Sequence, residues 1–157
     1  MMQAILPRKR RRAIAAVEFA LVLPLILTLL LGIWEVGRLI EIQQMLHNAA
    51  REGGRQASTG QLTNSQVQDI VIDYLQQAGL PTSNVVVTVK DLDTPSADAS
   101  AAHYLDRLQV TASIPFSDVR WSLISLVTTP GQLITSQVEW VTVVDKPYPS
   151  SPTPPQG

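Results

Sequence analysis

Residues 13–34 read AIAAVEFALVLPLILTLLLGIW, an apolar run in which Glu18 is the one charge and Thr28 the one other polar side chain. At a helical rise of 1.5 Å per residue the run reaches about 33 Å, the thickness of a bilayer's hydrocarbon core. It leaves no face for water, so the pattern predicts a membrane helix and not an amphipathic one. From Glu35 to Ser58 the pattern changes. Val36, Leu39, Ile42, Met45, Leu46, Ala49 and Ala50 recur every three or four residues, with Arg38, Glu41, Gln44, Asn48, Arg51 and Glu52 around them, which predicts a stalk helix with one apolar stripe. Span and stalk should form a single rod. Ala49, Ala50, Gly53, Gly54 and Ala57 thin the stripe at its far end, a surface suited to close packing against a sheet or helix. The glycine pair also weakens the helix by about 1 kcal/mol per residue, so the rod is expected to bend or end there.

A second helix is predicted after Thr63, which forms a capping box with Gln66. Val67, Ile70, Val71, Tyr74, Leu75 and Ala78 make its apolar face, and Gly79, Leu80 and Pro81 stop it. Three strands are predicted beyond it: the β-branched run 84–90, the alternating run 106–114, and residues 133–144 with Trp140 on one face. A polar loop joins the first two. The stretch WSLISLV at 121–127 is too short for a second span and reads as a short helix or interfacial patch, and the tail DKPYPSSPTPPQG as an extended terminus. The expected fold is α+β and pilin-like. Its parts are a basic leader (1–12), a transmembrane helix (13–34), a stalk (35–58), a small head with one helix and about three antiparallel strands (59–145), and a proline-rich tail (146–157). A core of roughly 90 residues is marginal unless partners add to it.

Charge sets the orientation. Arg8, Lys9, Arg10, Arg11 and Arg12 supply five of the twelve basic residues, and no acid precedes Glu18. The positive-inside rule holds this end in the cytoplasm and sends the remainder across the membrane, a single pass with Trp34 as an interfacial anchor. Past Arg12 the chain carries seven basic and thirteen acidic residues, a balance that makes the exported part a poor nucleic-acid binder. The apolar run exceeds the length of a secretory signal's apolar region and has no small-residue cleavage site at its outer edge, so it should be retained. With no cysteine in the chain, neither lipid modification of the signal nor a disulfide in the head is available.

Chemistry is sparse. The chain has no cysteine nucleophile, no phosphate-cradling glycine pattern and no serine elbow, so no catalytic residue and no cofactor is expected. His47, far from His103 in sequence, reads as a solvent-facing helical histidine, and neither has a local acid and nucleophile arrangement around it. Asp69 and Asp73 lie four apart on one helical face but have no third ligand nearby, so a solvated face is preferred to a metal site. Pro24 cannot donate to the helical ladder and is expected to kink the span. Glu18 is the residue that needs a reason, because a carboxylate inside a span is costly and tends to mark pairing or transport. It is either parked beside Arg11 and Arg12 in the headgroup zone or paired with another subunit.

The string RRRAIAAVEFALVLPLILTLLLGIWEVGRLIEIQQMLHNAAREGGRQAS, residues 10–58, resembles the amino-terminal region of TadE-like pilus assembly proteins. In these minor pilin-like components of tight-adherence (Flp type) pilus and secretion systems, a basic leader precedes an AVEFALVLP-like run and a helix ending in an AAREGAR-like segment. The resemblance implies a bacterial cytoplasmic-membrane protein whose leader is cut by a prepilin peptidase, here between Ala13 and Ile14, leaving Glu18 as the fifth mature residue. Ala13 stands where the family usually has glycine. The partners implied are other pilin-like subunits, an inner-membrane assembly platform, the prepilin peptidase and the lipid bilayer, with no nucleic acid. A glutamate four residues after a freed amino group can neutralise that cation on an adjacent subunit, which would make Glu18 a key to subunit registration. The alternative is an uncleaved single-span anchor whose head binds an envelope or secretion component.

Overall fold

The computed structural model describes residues 8–95, 98–119 and 131–144. Span and stalk are one helix, α1 (Arg8–Ala57), with Pro24 inside it. Beyond the link at 58–63 comes α2 (Asn64–Gln77), then β1 (Val86–Asp91), β2 (Arg107–Pro115) and β3 (Leu133–Val141), with single 3₁₀ turns at Ala99–Ala101 and Phe116–Asp118. The expected segment at 121–127, the tail at 146–157 and the start of the leader lie outside the described residues.

The sheet is antiparallel in the order β1-β2-β3. Its register sets Val89 beside Val110 and Val110 beside Val138, and places Leu108 between Asp91 and Trp140. Burial alternates strictly along β2, with Leu108, Val110, Ala112 and Ile114 turned inward. The far end of α1 packs across β2 and β3, and α2 packs beside it over β1. Ile42, Leu46, Ala49, Ala50 and Ala57 from α1 and Val67, Val71 and Leu75 from α2 are fully buried and close this core.

The start of α2 follows from its sequence: the Thr63 hydroxyl accepts from the Gln66 N–H, and the Gln66 side chain accepts from the Thr63 N–H. Three expected members of its apolar face are not part of the core, since Tyr74 is 37% exposed, Ala78 is exposed and Ile70 is half-buried, while Ile72 packs against the core instead. Val36, at the membrane end of the expected stalk stripe, is also exposed, because the head covers only the far part of α1. Gly53 and Gly54 do not end the helix. They admit neighbours instead: a Cβ on Gly53 would lie 2.5 Å from Val71 Cγ2, and one on Gly54 would lie 2.0 Å from Trp140 Cδ1. Packing against α2 and β3 outweighs the propensity cost of the pair.

β1 and β2 begin two and one residues later than expected and each end one residue later, while β3 begins at the expected residue and ends three residues early. Val85 N–H bonds to the Thr82 carbonyl in a turn before β1. After β3 the chain leaves the ladder: Thr142 N–H bonds to Asp106 O and Val143 N–H to Ser58 O, which ties the last described residues to the end of α1. The polar loop after β1 is built on two carboxylates. Asp91 Oδ1 accepts from the N–H groups of Asp93 and Thr94. Asp98 accepts from Ser100 N–H and from Asn64 N–H at the start of α2, while Asn64 Oδ1 accepts from Ala99 N–H. Those donors, Ser100 first and Asn64 second, hold the Asp98 carboxyl below its ordinary range.

Candidate functional site

The part of α1 from Ala13 to Trp34 touches nothing else in the described structure. Phe19 is 60% exposed, Leu21 75%, Ile33 70% and Trp34 65%, which in water would be an untenable apolar surface. Within Ala13–Ala57 the helix is long and apolar enough to cross a membrane. Length, composition and exposure together suggest a single-pass membrane protein.

Arg8, Lys9, Arg10, Arg11 and Arg12 form the first residues of α1. Ala13 and Ile14 follow inside the same helix, so a peptidase acting between them would have to unwind a helical turn. Ile14 and Glu18 lie four residues apart and therefore on one face. Glu18 is exposed on the apolar surface and has no hydrogen-bond or ion-pair partner among the described residues. Pro24 sits within a continuous helix, and its carbonyl accepts a 2.8 Å hydrogen bond from the Thr28 hydroxyl, which satisfies that hydroxyl inside the apolar stretch. None of these residues touches the head.

At the exit from the apolar stretch the head begins. Glu35 is only 7% exposed. Arg38 donates from Nε to the Val119 carbonyl at 3.2 Å and from Nη1 to Glu41 Oε2 at 2.8 Å, so the chain after β2 is fastened to the base of the stalk. The stripe pattern does not reveal this anchoring, because its acceptor is a backbone carbonyl 81 residues away.

Higher on the stalk, His47 Nδ1 lies 3.2 Å from Ser136 Oγ, joining α1 to β3 beside a shallow cleft that Gln43, Gln44 and Asn48 also line. His103 has an acid beside it. Its ring Nδ1 is 3.2 Å from Asp106 Oδ2, and Thr142 donates its hydroxyl to the His103 carbonyl. These contacts close the turn before β2 and bring no nucleophile. On the outer face of α1, Glu52 accepts from Arg55 at 2.6 Å and from Gln56 at 3.0 Å. The guanidinium first and the amide second lower the Glu52 pKa. Asn48, Arg51, Glu52, Arg55, Tyr74 and Trp140 line a second open cleft there. No cluster of three His, Asp or Glu side chains that could hold a metal exists among the described residues.

Comparison with curated proteins and with solved structures finds no match to the chain. A family match does exist, and it falls on the rod. Residues 13–55 match the family described as TadE-like protein, so the resemblance carried by the apolar run, its acid, its proline and the small-residue end of the stalk is that of a TadE-like protein.

Proposed function

We propose that this chain is a membrane-anchored, non-enzymatic minor pilin-like subunit that takes part in assembling a tight-adherence type pilus or secretion system. The observation that carries the reading is the coincidence of the TadE-like match with the bare apolar arm of α1 and its one acid. A head that buries its own core while leaving the whole arm exposed is suited to a subunit whose arm is covered by lipid first and by neighbouring subunits later. In that role the basic leader stays in the cytoplasm, Trp34 marks the outer interface, and the head lies beyond the cytoplasmic membrane. Cleavage between Ala13 and Ile14 frees an amino group. Glu18, one helical turn on, pairs with that cation on an adjacent subunit and thereby fixes the register of the bundle.

The test is mass and recovery. Protein from cells with an active prepilin peptidase is expected to begin IAAVEF and to lack the first thirteen residues. Glu18→Gln and Glu18→Leu should insert normally and recover fewer partner subunits from detergent-solubilised membranes, Leu fewer than Gln. Full recovery of partners by Glu18→Leu would remove the registration role. Ala13 in place of glycine, inside a helical turn, favours a second reading in which the chain stays uncut and its head binds an envelope or secretion component. A full-length mass in the presence of the peptidase would select that reading.

A further inference from the structure

The outer face of the α1–α2 layer carries two complementary charge pairs that do not meet within the chain. Arg51 and Arg55 are exposed, four residues apart on α1; Asp69 and Asp73 are exposed, four residues apart on α2. Arg51, Asp69 and Asp73 have no hydrogen bond or ion pair in the described structure, and Arg55 is held only by Glu52 on its own helix.

Their heights match. The link at 58–63 turns α2 back along α1, with Val67 and Val71 at the level of Gly53 and with Tyr74 lining the same cleft as Asn48, Arg51 and Arg55. Arg51 precedes Gly53 by two residues and Asp73 follows Val71 by two, so each lies about 3 Å nearer the membrane than that contact. Arg55 and Asp69 lie on its far side. Facing matches as well. In α2 the buried residues are Val67, Val71 and Leu75, and at 100° per residue Asp69 and Asp73 fall opposite them. In α1 the same turn places Arg51 and Arg55 away from Ile42, Leu46, Ala49 and Gly53.

We infer that this face docks a second copy of the chain, in a parallel two-fold pairing about an axis along the membrane normal. Such an axis keeps every residue at its height and exchanges left for right, so α1 of one copy meets α2 of the other. Arg51 then meets Asp73 of the second copy and Arg55 meets Asp69, and symmetry makes each pair twice. A perpendicular axis would invert one copy and draw its apolar arm out of the bilayer. Exposed ion pairs are individually weak, but both arms in one membrane confine the copies and raise their effective concentration. The contact needs only that the arms share a bilayer, whether or not the chain enters a filament.

Cross-linking in membranes tests it on the full chain. The natural sequence has no cysteine, so two differently tagged versions, one Asn48→Cys and one Gln77→Cys, report only the contact between them. These positions are exposed and lie one level nearer the membrane than Arg51 and Asp73. Oxidation is expected to join the two tags, whereas a Gln137→Cys chain, altered on the outer face of the sheet, should give only background. Arg51→Glu in both chains should cut the yield at least fivefold, Asp73→Arg likewise, and the two reversals together should restore it to within twofold. An unchanged yield in the single reversals overturns the pairing. So does a loss that the double reversal fails to restore, which would assign the face to a different subunit.

Discussion

Gly54→Ala isolates the contact by which the stalk receives the sheet. The added Cβ would lie 2.0 Å from Trp140 Cδ1, 2.5 Å from Nε1 and 2.9 Å from Cγ, so the indole ring must move by more than 1 Å. Overpacking of this kind costs about 1–3 kcal/mol. Two features keep Trp140 below the upper end, at about 2 kcal/mol: it sits on an edge strand, and its buried Nε1 has no hydrogen bond to lose. Alanine also returns about 1 kcal/mol of helix propensity. The expected net loss is about 1 kcal/mol, or roughly 4–8 °C in melting temperature for a head of this size. Gly37→Ala is the control, because its Cβ meets nothing within 4 Å; it should be neutral or stabilise by up to about 1 kcal/mol. Urea unfolding of the full chain in micelles, for Gly54→Ala, Trp140→Ala and the double variant, gives the coupling directly. Removing the indole should turn Gly54→Ala from harmful to favourable, a coupling of about 2 kcal/mol. A Gly54→Ala protein as stable as Gly37→Ala, or a coupling below about 0.5 kcal/mol, would show that the glycine is not there to admit the tryptophan.

Two further outcomes follow from the loop and the cap. Asp98 has a lowered folded-state pKa, so its contribution to stability is present above the ordinary carboxylate value of about 4 and is lost as pH falls through the folded value. The stability gap between the natural chain and Asp98→Asn, read from urea midpoints, should therefore be open at pH 6 and close toward pH 2; a gap independent of pH would contradict the role of the ionised carboxylate. Thr63→Ala removes the cap of α2 and should cost about 1 kcal/mol in the same assay, and an unchanged midpoint would mean that the Asn64–Asp98 bonds alone fix the helix start.

Most of the architecture was legible because each element carried its own periodicity. The apolar run and the stripe after it read as one rod, the capping box marked α2 to within a residue, and alternation at Leu108, Val110, Ala112 and Ile114 gave β2 and its inward face. What was not legible depended on distant partners. The effect of Gly53 and Gly54 turned on Val71 and Trp140, whose positions no local pattern fixes, so a propensity argument predicted a bend or an end where the helix runs on to Ala57. Arg38 looked like one more polar stalk residue, and its bond to the Val119 carbonyl exists only once β2 has been laid on α1. Glu18 stood out for the opposite reason: its anomaly is local, an acid in an apolar run, while the role proposed for it lies with molecules outside the chain.

The two features assigned to contacts between subunits lie far apart on one helix. Arg51 follows Glu18 by 33 residues, about 50 Å along the axis, and Pro24 lies between them, a residue that cannot complete the ladder. The proposed lateral contact at the head would set which copies stand side by side without dictating how their membrane segments are turned, provided the turn around Pro24 absorbs a change in direction. The registration proposed for Glu18 would act below that joint. The two contacts should fail independently: reversing Arg51 should leave partner recovery through the arm intact, and neutralising Glu18 should leave the Asn48→Cys to Gln77→Cys cross-link intact. If one substitution abolished both, α1 would be behaving as a single stiff lever, and the proline would have no mechanical role.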